Sequence, residues 1–465
     1  MSMPGLPTAP IPMRDITTLK AELAAAGLET SDERALLRLR SRDFYWYSPI
    51  LKRQLDGKAA ELIVRPRSEA EVLATLAACR QARVPVTARG GATGNYGQCV
   101  PLAGGVLLDM TAMDRCHSVI DGVAEVEPGA KLIDVDLWAR EQGWEIRLWP
   151  STKRSATVGG FIAGGGAGVG SITHGTMKER GNLHSVRVAT MQDPPQVLEL
   201  AGDAANVVNR AYGTTGILTL IRLPLAPAQA WRDVGLAFAD FPAAARFALA
   251  LAHSDGIPKK MCAVFDAMLP PFFKGIAAAV PAGHALVLAM VAPSAMVALR
   301  DLAAEHGGRI LAEQDTQAAE RDADATPFYE YCWNHTTLQV LKRDKGVTYL
   351  QCRFPFEDTL AAVEAMRSRF PEEVWMHTEC VRFGGRITMT ALPIIRWTDE
   401  ARLRQIMAEI ESLGIAIANP HTVSVEEGSS YRRVEGDQLG FKRMVDPLGL
   451  LNPGKMTSFT LETAA

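Results

Sequence analysis

RGGATGNYGQ at residues 89–98 and TVGGFIAGGGAGVG at residues 157–170 are the two stretches that decide how this chain folds. Each places several glycines close together, with threonine or asparagine side chains nearby. Because glycine has no side chain, backbone N–H groups in such loops can approach a diphosphate closely without bringing much positive charge. Neither stretch has the GxGxxG or GxxxxGK[ST] spacing of the common nucleotide-binding loops. The pattern therefore indicates a diphosphate site of another kind.

The residues before the first loop predict alternating strands and helices. ELIVRP, from Glu61, is a short apolar strand, and Ser68 and Glu71 have the spacing of a capping box that starts a helix through Arg83. VPVTARGG is then a second strand that runs into the glycines. This order of elements is typical of a nucleotide site. Residues 1–45 are interpreted as a polar lead-in with one helical stretch over residues 15–25.

The region from Trp231 to Arg396 has a different pattern. Three segments each predict a strand followed by an amphipathic helix, at residues 234–254, 284–307 and 347–370. They indicate a separate α+β domain, with an antiparallel sheet and helices on one face.

Composition excludes several classes of protein. Hydrophobic residues make up 48% of the 465 residues and charged residues 22%, which argues against long disorder. The net charge of −3 gives no field that would attract nucleic acid or an anionic membrane. The seven cysteines form no CxxC pair, and we predict neither a signal peptide nor a membrane span. We expect a cytoplasmic protein that binds a small molecule, and homo-oligomerisation stays open.

Four motifs in order resemble the vanillyl-alcohol oxidase superfamily of FAD-linked oxidases: PVTARGGATG, TVGGFIAGGGAG, YGTTGILT and DPLGLLNPGK. The resemblance covers residues 55–228 and 420–456. It implies FAD as the cofactor and an α+β fold, with a two-subdomain PCMH-type FAD-binding domain and an α+β cap domain over the substrate. The implied division is lead-in 1–45, FAD-binding domain 46–228, cap 229–420, and a segment 421–465 that returns to the FAD-binding domain.

The resemblance also implies which residues bind FAD. Residues 89–98 would wrap the diphosphate, residues 150–151 and 157–160 would line the ribityl and diphosphate path, and residues 216–217 would face the adenine. The predicted cofactor residues are Arg89, Gly90, Gly91, Ala92, Thr93, Gly94, Asn95, Gln98, Pro150, Ser151, Ser155, Thr157, Val158, Gly159, Gly160, Gly164, Gly216, Ile217 and Asn452.

Two departures from the family pattern are informative. Members that bind FAD covalently carry a histidine where this chain has Ala92 and Thr93, and the doubly linked members carry a cysteine where it has Ser155. Members that use a divalent metal carry HxGDGNxH and EEHGIG, where this chain has RFGGRITMT (382–390) and EEGSSYRR (426–433). We therefore expect FAD to bind non-covalently and the protein to use no metal ion. The alternative left open is a covalent link from a cap-domain histidine to the flavin.

Three polar clusters could form the substrate site. Tyr331 and His335 belong to YEYCWNHTTLQVLKRDK at residues 329–345, which could equally be a solvent-facing loop. In WMHTECVRFGGR, His377, Glu379 and Arg382 are expected to share one face of a strand, with Arg386 in the next turn. A histidine held by a carboxylate could accept a proton while an arginine binds an anionic substrate. An exposed polar ladder is the alternative.

The third cluster is the set His421, Glu426, Glu427, Tyr431 and Arg432, in the returning segment. The leading hypothesis for function is an FAD-dependent oxidoreductase that transfers a hydride from a C–OH or C–N bond to flavin N5. The alternatives are an electron-transfer subunit of a larger dehydrogenase complex, a reductase resembling the UDP-N-acetylenolpyruvoylglucosamine reductases, and a flavin-binding protein without catalysis.

The first prediction concerns the link to FAD. Acid or heat precipitation should release the flavin into the supernatant, because Thr93 and Ser155 stand at the usual covalent positions. Absorbance of the supernatant and pellet measures this release. A pellet that stays yellow after denaturation would contradict the prediction.

Overall fold

The structure is a computed structural model that describes residues 15–426, 434 and 436–460. The first domain packs short helices around two sheets. Its strands are β1 (Thr30–Ser31), β2 (Leu62–Val64), β3 (Val86–Arg89), β4 (Val106–Asp109), β5 (Cys116–Ile120), β6 (Val123–Val126), β7 (Trp144–Ile146), β8 (Ser185–Ala189), β9 (Val197–Ala201) and β10 (Ile217–Pro227). Its helices are α1 (Ile16–Ala25), α2 (Arg34–Arg40), α3 (Pro49–Leu55), α4 (Glu69–Ala82), α5 (Leu132–Arg140), α6 (Val158–Gly164) and α7 (Ser171–His174).

The two sheets of the first domain differ in strand direction. One has the order β1-β2-β4-β3, in which β2, β4 and β3 run parallel. The other is antiparallel in the order β5-β6-β10-β8-β9, with β7 on a further stretch of β10. Strands β2 and β4 are fully buried, as expected for parallel strands covered on both faces. The lead-in is part of this domain from Asp15 onward, since β1 pairs with β2.

Helix boundaries follow the capping residues. Ser68 accepts a hydrogen bond from the backbone of Glu71 and starts α4, while Arg83, in a left-handed conformation, ends it. Asp15 caps α1, so the predicted helix begins one residue later than expected.

The cap domain is an eight-stranded antiparallel sheet covered on one face by helices. Its strands are β11 (Arg232–Phe238), β12 (Lys259–Phe265), β13 (Ala285–Val291), β14 (Arg309–Asp315), β15 (Val347–Tyr349), β16 (Cys352–Arg353), β17 (Val374–Trp375), β18 (His377–Phe383), β19 (Arg386–Ala391), β20 (Ile394–Arg396) and β21 (Ala416–Ile417). Its helices are α8 (Phe241–His253), α9 (Met296–Glu305), α10 (Thr316–Arg321), α11 (Asn334–Leu341), α12 (Thr359–Arg369) and α13 (Glu400–Ser412). A further helix, α14 (Gly436–Val445), follows the cap.

The strand order of the large sheet is β14-β11-β13-β12-β18-β19-β16-β21, and β15, β20 and β17 form a small separate sheet. Helices α8, α9, α12 and α13 enclose one hydrophobic core with the large sheet. The opposite face of the sheet lies on the first domain, where Met261 and Phe265 share a core with Trp149. The three predicted strand–helix units are present in this domain.

The C-terminal segment returns to the first domain. Val86 in β3 donates to the carbonyl of Leu450 and accepts from the backbone of Asn452, both at 2.8 Å, so Leu451 extends the parallel sheet. Among the described residues, no helix has the length and apolarity needed to cross a bilayer.

Charged side chains are buried where the cap meets the first domain. They form a continuous network around Trp149, whose members are Asp136, Arg140, Glu145 and Lys153 of the first domain and Lys260 and Glu320 of the cap.

Lys153 joins the two domains within this network. Its ammonium lies 2.7 Å from both Asp136 Oδ2 and Glu320 Oε1, and its side chain is 1% exposed. Burial alone would raise the pKa of Asp136, but the charges of Lys153 and Arg140 lower it to about 2. Both carboxylates would lose a buried counter-ion without Lys153.

A Lys153→Met variant should therefore lose about 3–5 kcal/mol of unfolding free energy, the usual cost of leaving buried charges unpaired. Denaturant titration of the holoprotein measures this loss. The matched control is Lys52→Met, because Lys52 pairs with Asp56 on the surface and should cost less than about 1 kcal/mol. Equal midpoints for the two variants would contradict the prediction.

Candidate functional site

A cavity of about 580 Å³ lies between the glycine loops of the first domain and the cap. Most predicted cofactor residues line it. They are Arg89, Gly90, Gly91, Ala92, Thr93, Gly94, Asn95, Gln98, Pro150, Ser151, Thr157, Gly159, Gly160, Gly164, Gly216 and Ile217.

Three predicted cofactor residues lie outside this lining. Val158 is a core residue at the start of α6. Ser155 is exposed, and its hydroxyl donates to the carbonyl of Thr152. Asn452 lies beneath the first loop, where its side chain donates to the carbonyls of Gln98 at 2.9 Å and Tyr212 at 2.7 Å. Asn452 therefore positions the loop rather than lining the cavity.

Free backbone donors identify the part of the cavity that suits a diphosphate. The N–H groups of residues 91–94 donate to no other described residue. By contrast, the first amides of α6 are already paired: Val158 donates to Ala130, Gly159 to Pro128, and Gly160 to the Thr157 hydroxyl. Because consecutive free amides bind anions, loop 91–94, rather than the α6 N-terminus, fits the diphosphate.

The glycines of α6 leave room beside this loop. A Cβ atom added at Gly160 would meet only the Thr157 hydroxyl within 4 Å, and one added at Gly164 only the Gln98 side-chain amide. Both positions otherwise face open space in the cavity. The donor set and the open space together fit a dinucleotide such as FAD.

Asp43 lines the cavity although it belongs to the predicted lead-in. One of its oxygens accepts from the backbone amides of Tyr45 at 3.0 Å and Gly97 at 3.2 Å, which fixes the end of the first loop. Burial raises the pKa of Asp43 to about 6, against the lowering effect of Lys455. Sequence reasoning missed this residue because DFYWYSP matches no motif.

The cap lines the cavity with Trp333, Asn334 and His335 at the start of α11, and also with residues of β16, β18 and β19. Asn334 contacts Asn95 of the first domain at 3.3 Å. His335 Nδ1 lies 3.2 Å from the Glu330 carbonyl, which can only accept, so the proton belongs on Nδ1 and Nε2 keeps its lone pair. Burial lowers the pKa of His335 to about 4, and the imidazole is neutral near pH 7.

His377 and Glu379 do not reach the cavity. Both are almost fully buried on β18, with His377 Nε2 2.9 Å from Glu379 Oε1. Their predicted role as a catalytic pair in contact with substrate is therefore wrong. Tyr331 is also outside the cavity lining. Its hydroxyl accepts a hydrogen bond from the backbone N–H of Gly275.

The predicted role of the two arginines is also wrong. Successive side chains of a strand point to opposite faces, so Arg382, three residues from Glu379, lies on the other side of the sheet. Arg382 and Arg386 line a separate surface pocket beside His253. Arg386 is 56% exposed and pairs with Glu357. Neither arginine can bind a substrate in the large cavity.

The third cluster is dispersed. His421 is buried between the Ser48 hydroxyl and the Tyr349 carbonyl, where it ties the cap to α3. Glu426 accepts hydrogen bonds from Ser458 near the chain end. Glu427, Tyr431 and Arg432 lie outside the described residues. Within the described ranges, no group of three or more His, Cys, Asp or Glu side chains could hold a metal ion.

Comparison with known proteins identifies the first domain. Residues 60–193 match a family model described as an FAD binding domain. A mitochondrial D-lactate dehydrogenase [cytochrome] of Arabidopsis thaliana is 30% identical over 174 residues, which cover 36% of this chain and 30% of that protein. A glycolate oxidase subunit of Escherichia coli (strain K12) is 28% identical over 193 residues, 38% of each chain. The matches span about a third of these relatives.

A solved structure extends the likeness to the whole fold. An alkyldihydroxyacetonephosphate synthase superimposes with a TM-score of 0.72 over 96% of this chain and 86% of that one, at 17% identity. This likeness confirms the PCMH-type fold. The family model and the curated relatives confirm FAD as the cofactor and the resemblance to FAD-linked oxidases and dehydrogenases. Non-covalent binding and independence from metals stay predictions.

Gly160→Leu should empty the FAD site while the protein stays folded, because Gly160 lines the cavity and only the Thr157 hydroxyl, 2.9 Å from the added Cβ, would have to shift. The flavin-to-protein absorbance ratio measures occupancy, and circular dichroism measures folding. Gly440→Leu is the control for adding the same side chain, because Gly440 is an exposed position of α14 where an added Cβ meets nothing within 4 Å. A folded Gly160→Leu protein with full flavin content would show that the cavity does not hold FAD.

Proposed function

We propose that the protein is an FAD-dependent oxidoreductase that oxidises a C–OH bond, or less often a C–N bond, of a small organic molecule. When bound, FAD supplies a hydride acceptor at flavin N5. The names of the relatives, D-lactate dehydrogenase and glycolate oxidase subunit, support a hydroxy acid or related alcohol as the substrate class.

The observation that carries this proposal is the continuity of the cavity. Loop 91–94, with its free backbone donors, lines one side of the cavity, and the cap turn that carries His335 lines part of the other side. A volume of about 580 Å³ lies within the range of cofactor and ligand sites. Cofactor binding and chemistry can therefore share one continuous cavity.

His335 is the residue we assign as proton acceptor. Hydride loss from an alcohol leaves a hydroxyl proton that a nearby base must take. His335 is neutral near pH 7, and its Nδ1–H is held by the Glu330 carbonyl, so Nε2 can accept. Asn334 and Trp333 beside it can orient the substrate through an amide and an aromatic face.

Two other flavin functions differ in what the cavity must contain. An electron-transfer subunit needs no substrate base, and a reductase resembling the UDP-N-acetylenolpyruvoylglucosamine reductases needs a proton donor near the flavin. The neutral His335, with its lone pair, favours an oxidation over both. The long cap and the terminal LNPGK motif also favour an oxidase or dehydrogenase over the reductase.

An anaerobic screen tests the proposal: hydroxy acids, alcohols and amines are mixed with the yellow protein while flavin absorbance is followed. At least one donor should bleach the flavin. Flavin that stays oxidised with every donor, but is reduced by dithionite, would point to a structural or electron-transfer role.

His335→Gln should slow flavin reduction by the active donor roughly 10²-fold with FAD still bound. In the wild type, the reduction rate should stay constant from neutral pH to about pH 5. It should fall as the pH drops through about 4, because a protonated imidazole cannot accept a proton. Stopped-flow absorbance measures both effects. Arg386→Ala, outside the cavity, is the control, and an equal loss in both variants would contradict the assignment.

A further inference from the structure

We infer that Glu379, paired with His377, is a positioning residue that fixes the turn at Trp333 and so presents Asn334 and His335 to the cavity. The inference rests on the proposed function only for the task of His335. It replaces the direct catalytic role that the sequence predicted for this pair.

The contacts of one carboxylate oxygen carry the inference. Glu379 Oε1 accepts from the Trp333 backbone amide at 2.8 Å and lies 2.9 Å from His377 Nε2. The His377 ring stacks on Phe265 with centroids 4.6 Å apart, so the pair has little freedom to move. Glu379 is 1% exposed, which makes the amide of Trp333 a fixed partner.

The backbone at Trp333 needs such support. Its φ is +54°, a value that bulky residues rarely adopt and that persists only where neighbouring contacts impose it. Asn334 begins α11 immediately afterwards, so a change at Trp333 would redirect both Asn334 and His335.

A second buried carboxylate holds the other end of the same turn. Asp233 on β11 accepts from the Phe328 backbone amide at 2.8 Å, and from Thr316 and Gln314. The segment 328–333 is thus fixed at both ends to the cap sheet, and Glu379 holds the end that enters the cavity.

Geometry and charge can be separated, since a single oxygen accepts both hydrogen bonds. Glu379→Gln keeps that oxygen in place and removes the charge. Glu379→Asp keeps the charge and withdraws the oxygen by one methylene. A positioning role requires the oxygen, whereas a direct role as proton acceptor requires the charge.

Stopped-flow flavin reduction by the active donor is measured for both variants, for His335→Gln and for Glu379→Asp/His335→Gln. We expect Glu379→Gln to reduce its flavin nearly as fast as the wild type. Glu379→Asp should be slower by on the order of 10²-fold, as a misplacement of about 1 Å can be. The double variant should be no slower than the slower single variant, because both changes act on His335. A slow Glu379→Gln with a fast Glu379→Asp, or losses that multiply, would overturn the inference.

Amide hydrogen exchange provides a readout that needs no substrate. Peptides covering residues 328–341 should exchange faster in Glu379→Asp than in the wild type, and at the wild-type rate in Glu379→Gln, with FAD bound in all three. If His335→Gln reduces its flavin normally, the assignment of His335 as proton acceptor is wrong. The exchange measurement then still tests whether Glu379 fixes the turn at Trp333. Unchanged exchange in Glu379→Asp would overturn the positioning role.

Discussion

Three cations and three carboxylates buried around Trp149 set the distance between the two walls of the cavity. Lys153 belongs to loop 150–157, which also supplies Pro150, Ser151 and Thr157 to the cavity lining. Its ammonium binds Glu320 of the cap, and the neighbouring Arg154 binds Glu330 at 2.8 Å. Charges withdrawn from water must stay paired, so the cap cannot shift on this loop without a large cost. The cofactor wall and the cap are therefore held as one unit.

The cap wall depends on a second use of buried carboxylates. Asp233 and Glu379 lie on the face of the sheet that packs on the first domain. Each accepts a hydrogen bond from a backbone amide of segment 328–333. Burial raises the pKa of Asp233 to about 6, and burial also raises the pKa of Glu379. These groups hold backbone rather than take part in chemistry. His335, which lines the cavity, is the residue that we propose as the proton acceptor.

Local pattern predicted the glycine loops and the strand–helix units, and the four-motif resemblance implied the fold and most of the cofactor wall. Glycine loops, capping residues such as Ser68 and the strand–helix units depend on neighbours in sequence, and these features are present. The substrate wall depends on strand parity and long-range packing. His377 and Glu379 share a face, but Arg382 does not, and the three-residue spacing alone could have revealed this. Asp43 carried no sequence signal, because its place in the cavity follows from contacts with Gly97, 54 residues away.

The central claim is that FAD fills one cavity formed jointly by loop 91–94 and the cap turn. Amide hydrogen exchange of the flavin-free and FAD-loaded protein tests it most directly. The account predicts that FAD protects the amides of residues 91–94 and, at the same time, those of residues 333–335. Protection confined to the N-terminus of α6, or absent from the cap turn, would contradict it.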